Sequence, residues 1–337
     1  MIVENPVLNK KAKPRWLRRI QIILTSKKIT SGKNQMIIGD NPGDNLNINI
    51  SGSKFLAINK DSGLIEIQNL SYETLIKIML LEYYIIEIKV GYNSSGDLES
   101  YFKGEISYIS QKIHSKHDST TYISYASEFV ARFSQYRINC NYNSSINVYA
   151  AMNYLLHKTG LSSSDALLSD DLKNIFINQV QSYYNNPKNI IDNLVNQTNN
   201  QYTFSVDSSG ANPLINCSTL SDKRYIKLNP NNIIIQGGNP TVSSEGLRLR
   251  LIPTFNFRPG DIINVPRELI DISIASADVS NNFSPNFVDP KGDYMIIEIN
   301  YNFQNRGSSF DLLIKGKAVS LFENITGNRN SWIITTL

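Results

Sequence analysis

Two stretches of the chain share one order of apolar and polar positions. In the first, Gly63-Leu64-Ile65-Glu66-Ile67 alternates as a half-buried strand, and Ser71–Leu81 follows at helical spacing. A second strand, Tyr84–Val90, comes next, and then Gly104-Glu105-Ile106-Ser107-Tyr108-Ile109. A polar turn at His114–Ser119 leads to the return strand Thr121–Ala126. Near the C-terminus, Gly246–Leu251 stands for the front strand and Asp261–Val265 for the second. Gly292–Ile299 then turns at Asn305-Arg306-Gly307 and returns as Phe310–Gly316. The glycine anchors are 41 residues apart in the first stretch and 46 in the second. Similar order at similar spacing predicts two related β units.

Between and around them the pattern changes. Residues 1–14 lack periodicity and read as a flexible arm. Trp16–Ser26 alternates as a first strand whose far end is apolar on both faces, so a covered sheet is expected there. Leu46, Ile48 and Ile50 alternate with Asn47 and Asn49 as another half-buried strand, and Gly91–Gly96 reads as a hairpin loop. After Glu128, Phe129–Asn139 reads as extended. Ser145–Lys158 is an amphipathic helix capped by Ser144 or Ser145 and ended by Gly160. Leu172–Tyr184 is apolar without a clear period. Pro187–Asn199 places Ile190, Ile191, Leu194 and Val195 on one helical face, and Gln201–Val206 is a strand.

The predicted class is mainly β with an α+β insert, two small β-barrel units flanking a middle module. The boundaries are an arm at 1–14, a first barrel at 15–128, the module at 129–224 and a second barrel at 225–337. A length of 337 residues exceeds one ordinary core and accommodates this division. The 41% hydrophobic content suffices for packed structure, while 18% charge with abundant Asn, Ser, Ile and Tyr favours strands and polar turns.

Net charge is only +4, with basic and acidic residues scattered, which argues against a dedicated nucleic-acid binder. The one basic concentration, Lys10 to Arg15 with Arg18 and Arg19, reads as a solvated tail leading into the first strand; a phosphate-binding arm is the alternative. Cys140 and Cys217 lie far apart without metal-type spacing and read as buried thiols, pairing being the other option. No apolar run reaches the roughly 18 residues of a membrane span, so membrane insertion is not expected, and the N-terminus lacks a signal-peptide pattern, so export by that route is not expected either.

Candidate chemistry is sparse. His114, His117 and Asp118 are clustered, but the pattern puts them in a hairpin turn beside Lys116, which would repel a cation. His157 closes a helix and suits its C-terminal dipole. Asp170-Asp171 offers paired carboxylates, yet adjacent acids after serines ordinarily begin a helix. No nucleophile elbow, zinc signature or phosphate-cradling loop occurs. Tyrosines interleaved with β-branched residues read as core and interface material, ahead of base or sugar stacking. The expectation is a non-enzymatic chain with no catalytic residue, metal or cofactor.

Taken in order, several segments resemble the baseplate hub proteins of contractile-tailed bacteriophages, a family related to the hub part of type VI secretion spike proteins. They are Gly63–Ser71 with its Asn69-Leu70-Ser71 step, Ile88–Tyr92, Phe102–Ile106, Gly246-Leu247, the Arg258-Pro259-Gly260-Asp261 turn, and Gly292–Ile296. The resemblance covers about residues 15–320; it departs at Asn300–Asn305, where relatives often carry a His-Ser-Gly-Asp-type turn. It implies a structural virion protein of the tail baseplate, homotrimeric, whose ring of six similar units joins a hexameric tail tube to a trimeric spike. Neighbouring baseplate proteins would be further partners, and genomic DNA only passing cargo. A tail-tip cell-wall hydrolase using Asp170 or Asp171, and a carbohydrate- or receptor-binding β protein, are the alternatives.

Overall fold

The computed structural model describes residues 18–26, 35–39, 46–56, 61–80, 83–92, 98–128, 133, 137–143, 145–161, 166–177, 180–198, 202–207, 214–219, 223–228, 238–253, 257–272 and 288–320. The arm 1–14, Arg15 and Trp16, the loop Ser162–Asp165 and the tail after Ser320 lie outside them, so of the basic cluster only Arg18 and Arg19 are described. The protein is mainly β with an α-containing insert. Its first part comprises β1 (Arg18–Ser26), β2 (Gln35–Ile38), β3 (Asn47–Phe55), β4 (Ser62–Gln68), α1 (Tyr72–Leu80), β5 (Tyr83–Tyr92), β6 (Glu99–Ser115) and β7 (Asp118–Ala126). The insert holds β8 (Ile138–Tyr142), α2 (Val148–Lys158), β9 (Ala166–Leu168), β10 (Gln181–Asn185), α3 (Pro187–Asn196), β11 (Thr203–Asp207) and β12 (Leu214–Ser218). The last part has β13 (Tyr225–Lys227), β14 (Thr241–Ser243), β15 (Gly246–Leu251), β16 (Ile262–Asn264), β17 (Asp271–Ile272), β18 (Asp293–Gln304) and β19 (Phe310–Ala318).

The two β parts form one sheet with the strand order β17-β14-β15-β19-β18-β3-β4-β7-β6-β5-β1-β2, and β16 pairs with β18 and β13. Within it a five-strand order occurs twice: β3-β4-β7-β6-β5 and β14-β15-β19-β18-β16. Register agrees as well as order. The β6/β7 ladder shifts between Ile106 and Tyr108, and the β18/β19 ladder between Ile296 and Glu298. Matching these bulges makes Tyr125, partner of Ile106, equivalent to Gly316, partner of Ile296. Gly63 and Leu247, their partners on the front strands, then match, as do Ile85 with Ile262 and Ser53 with Ser243. The glycine anchors of the sequence pattern are therefore offset: Gly246 stands one position before the equivalent of Gly63, and Gly292 two before that of Gly104. Their tasks differ too. Gly246 and Gly292 have positive φ (107° and 79°), whereas Gly63 clears space for a ring.

One hydrophobic core runs through both units, from Ile20 and Ile22 to Leu312 and Ile314. A second gathers the insert, with Cys140, Met152, Leu155, Ile190, Leu194 and Cys217 among its members. Both cysteines are free and buried; burial raises both thiols, that of Cys217 to about 12.

Local differences from the sequence pattern have identifiable causes. α2 starts at Val148, because the Asn147 side chain, not Ser144 or Ser145, accepts the capping bond from the Ala150 amide (2.8 Å). α3 is capped by Asn186 and begins at Pro187, ending at Asn196. Gly91 belongs to β5 rather than to a loop. Phe133 is helical and β8 begins at Ile138, so the stretch read as extended over 129–139 is not extended at Phe133; residues 129–132 and 134–136 lie outside the described residues. Leu172–Tyr184 resolves into a short 3-10 turn, a bridge at Phe176 and β10. Among the described residues, no helix is long and apolar enough to cross a membrane.

Candidate functional site

The features expected of the His114 cluster and of the paired aspartates lead elsewhere. His114 is the penultimate residue of β6 and pairs its Nε2 with the Thr120 hydroxyl at 3.1 Å, while His117 lies in the exposed two-residue turn and Asp118 opens β7. Asp170 pairs with Lys173 at 2.5 Å on the surface, and with Asp171 it opens the 3-10 turn. His157 sits in the last turn of α2. The hairpin, the helix end and the 3-10 turn are separate places in the fold. Among the described residues, no group of three His, Cys, Asp or Glu is placed to share a metal ion.

The extended feature is the face of the sheet opposite the core. Strand alternation sends Ile48, Ile50, Ile65, Ile67, Ile123, Ile299 and Ile314 inward, and every one is fully buried. The intervening residues form cross-strand rows. Gln304, Asn49, Glu66, Tyr122 and Ser110 make one, over β18, β3, β4, β7 and β6. Asp311, Asn302, Ser51, Leu64, Ser124 and Tyr108 make the next. A third begins Arg250, Leu313, Asn300, Ser53 and Ser62. From β14 to β6 the face crosses eight strands, roughly 35 Å at the usual strand spacing.

Amides and hydroxyls dominate its middle and bond to one another. Asn47 Nδ2 donates to Gln68 Oε1 (2.9 Å), Asn49 Nδ2 to Glu66 Oε2 (3.1 Å) and Ser53 Oγ to Asn300 Oδ1 (2.5 Å). Its charges are largely matched: Lys315 meets Glu298 at 2.9 Å, and Arg250 meets Asp311 at 2.5 Å. This is a polar surface whose charges are largely paired, with the Asn49, Asn302 and Asp311 side-chain oxygens partly withdrawn from solvent.

The face hangs on the seam where β3 meets β18. Seven residue pairs, Glu298–Gln304 against Phe55–Asn49, join the units there. Under the seam the rings of Tyr101, Tyr301, Phe303 and Phe310 interlock, with Tyr101 centred 5.0 Å from Tyr301 and 4.9 Å from Phe303. Lys54, 1% exposed, donates to the Tyr101 carbonyl at 2.5 Å. Arg18 reaches across from β1 to the Gly307 carbonyl at 2.6 Å. Of the tyrosines read as core and interface material, Tyr101, Tyr125, Tyr142, Tyr294 and Tyr301 are core, whereas Tyr72, Tyr84, Tyr108, Tyr154 and Tyr184 are exposed. The Asn/Ser alternation at Asn47, Asn49, Ser51 and Ser53 signals the polar face; what the sequence does not reveal is that it continues across both units.

No family model matches the chain, and no curated protein matches it either. Solved structures do. The 43 kDa tail protein of prophage MuSo2 from Shewanella oneidensis aligns with a TM-score of 0.53 at 9% identity, over 90% of this chain and 98% of that one. The tail protein of Neisseria meningitidis MC58 gives 0.52 at 7% identity, over 91% and 98%. The Escherichia coli c3393 protein gives 0.51 at 11%, over 81% and 73%; it is described as a type VI secretion component structurally similar to the T4 tail proteins gp27 and gp5. At these identities the likeness is one of fold: the chain has the fold seen in these phage tail and type VI secretion proteins.

Proposed function

We propose that the protein is a structural subunit of a phage-type tail, the baseplate hub, three copies of which form a ring of six similar units. The observation carrying this reading is the repeated five-strand order with its conserved bulge register. A threefold assembly of a doubled unit offers six near-equivalent edges, so it can meet a hexameric tube on one side and a trimeric spike on the other. The polar face of the sheet would line the channel, where mixed and paired charge lets DNA pass. In this reading residues 15–128 and 225–337 are the ring units, and 129–224 stands off the ring toward the spike or neighbouring baseplate proteins. The assembled protein belongs to the virion tail.

Size-exclusion chromatography with light scattering tests it, on the protein alone and mixed with the tube subunit or the spike. The expected result is a trimer that shifts to higher mass with either partner. A stable monomer indifferent to both would overturn the reading. The hydrolase alternative has its own test: purified protein is expected to leave peptidoglycan intact in a zymogram, and clearing lost on Asp171→Ala would replace the structural role with a catalytic one.

A further inference from the structure

The insert carries a surface unlike the self-paired face of the long sheet. β8 and β10 form a two-stranded antiparallel ladder, from Ile138 with Asn185 to Tyr142 with Gln181. Five residues on, the bridge between Asn147 and Phe176 keeps that register. Alternation sends Cys140 and Tyr142 into the core of the insert. The opposite face presents Arg137, Asn139 and Asn141 on one strand and Ser182 and Tyr184 on the other, all exposed. Val180 and Phe176 fall at further alternate positions and are 69% and 54% exposed, beside 71% for Tyr184. At strand rise, the eight steps from Phe176 to Tyr184 span at most roughly 26 Å.

Two features set this face apart. Its apolar groups fall in a line, at every fourth residue, rather than in a patch. Its polar groups are uncommitted: the side chains of Asn139, Asn141 and Ser182 make no hydrogen bond with any described residue. The amides of the long sheet, by contrast, bond to neighbouring side chains. Arg137 forms no ion pair with any described residue, and its guanidinium stands 5.9 Å from the centre of the Tyr184 ring. That is the outer limit of a cation–π contact, so most of the ring is left open.

A line of apolar groups beside a row of free amides matches a linear glycan. Sugar C–H faces lie on aromatic rings, and the hydroxyls at the sugar edge meet side chains that both donate and accept. The lone guanidinium supplies the charge preference, because its planar fork fits a carboxylate. A nucleic-acid strand would call for a track of cations at phosphate spacing, and this face has one. A protein partner would centre on a clustered apolar anchor, which the face lacks.

We propose that this face of the insert binds a linear glycan bearing carboxylates, with sugar rings on Tyr184 and Phe176 and a carboxylate on Arg137. The site lies wholly within the insert and needs no assumption about a ring.

Isothermal titration calorimetry of the full chain tests it, with a uronic-acid hexamer, a neutral glucan hexamer and a thymidine hexanucleotide as probes. The uronic-acid hexamer should bind more tightly than the glucan, and the nucleotide should give no binding heat. Tyr184→Ala should weaken uronate binding about tenfold or more, and Arg137→Gln should bring it down to the level of the glucan. Both positions are exposed, so the circular dichroism spectrum should not change. Absence of uronate binding, a preference for the nucleotide, or an affinity indifferent to Tyr184→Ala overturns the proposal. So does self-association in light scattering that disappears with Tyr184→Ala, which would give the face to a second copy instead.

Discussion

The hydroxyls of Tyr125 and Tyr301 share a hydrogen bond of 2.8 Å, joining the two β units inside the core. Both side chains cross the sheet where Gly52 pairs with Gly63. A Cβ at Gly52 would lie 2.3 Å from the Tyr301 hydroxyl, and one at Gly63 2.3 Å from that of Tyr125. Two glycines thus clear the floor on which two tyrosines meet. Burial pushes both phenols well above their ordinary range, so the pair stays neutral and hydrogen-bonded at any physiological pH.

Tyr125→Phe leaves the Tyr301 hydroxyl buried without this partner and is expected to cost about 1–3 kcal/mol. The double variant Tyr125→Phe with Tyr301→Phe removes both polar atoms and should be more stable than Tyr125→Phe alone. Gly52→Ala forces the ring aside and should cost about 1–3 kcal/mol. Urea unfolding midpoints measure all three.

Arg250 and Asp311 form a pair of unequal exposure, 50% and 5%. Asp311 Oδ2 accepts from Arg250 Nε, while its Oδ1 is buried without a hydrogen bond. Arg250→Ala strands a buried carboxylate and should destabilise by about 1–3 kcal/mol. Lys77→Ala breaks a pair with Glu73 that is exposed on both sides and should leave stability nearly unchanged. Equal effects of the two substitutions in unfolding experiments would contradict this ranking.

Cys217 supplies a pH dependence. Burial raises its thiol from 9.0 to about 12, with Lys223 opposing weakly. Between those values the unfolded chain has lost the proton that the folded chain keeps, so stability falls as pH rises from about 9 to 12. Cys217→Ala should flatten that decline in unfolding midpoints measured between pH 8 and 11.

Alternation made β4, β15 and the cores of β5, β7 and β19 legible, because a half-buried strand writes its burial into every second residue. The Asn69-Leu70-Ser71 step is legible for a stated reason. Asn69 takes a left-handed φ of 57°, exchanges backbone and side-chain bonds with Ser119, and leaves Ser71 to cap the helix through Thr74. The length of β6 was not legible. The pattern carries the strand only to Ile109 and starts the polar turn at His114, whereas β6 runs to Ser115; its distal part is paired on one side only, so no buried period marks it.

The candidate surface was half legible. Asn47 and Asn49 announce a polar face, but adjacency of Asn300 to Ser53 depends on a pairing 247 residues apart, which no local pattern encodes. The bulges at Ser107 and Ile297 align the two units more reliably than the glycines at 63, 104, 246 and 292. A glycine answers to local clearance, whereas a bulge answers to the whole ladder.

Projection images of the purified assembly test the doubled ring most directly. The account predicts particles of three 38.0 kDa chains whose end-on averages show six similar units around an open centre at low resolution, resolving into threefold order with detail. Single-chain particles, or three-lobed averages in which residues 225–320 do not take places alternating with residues 18–126 around the ring, would contradict it.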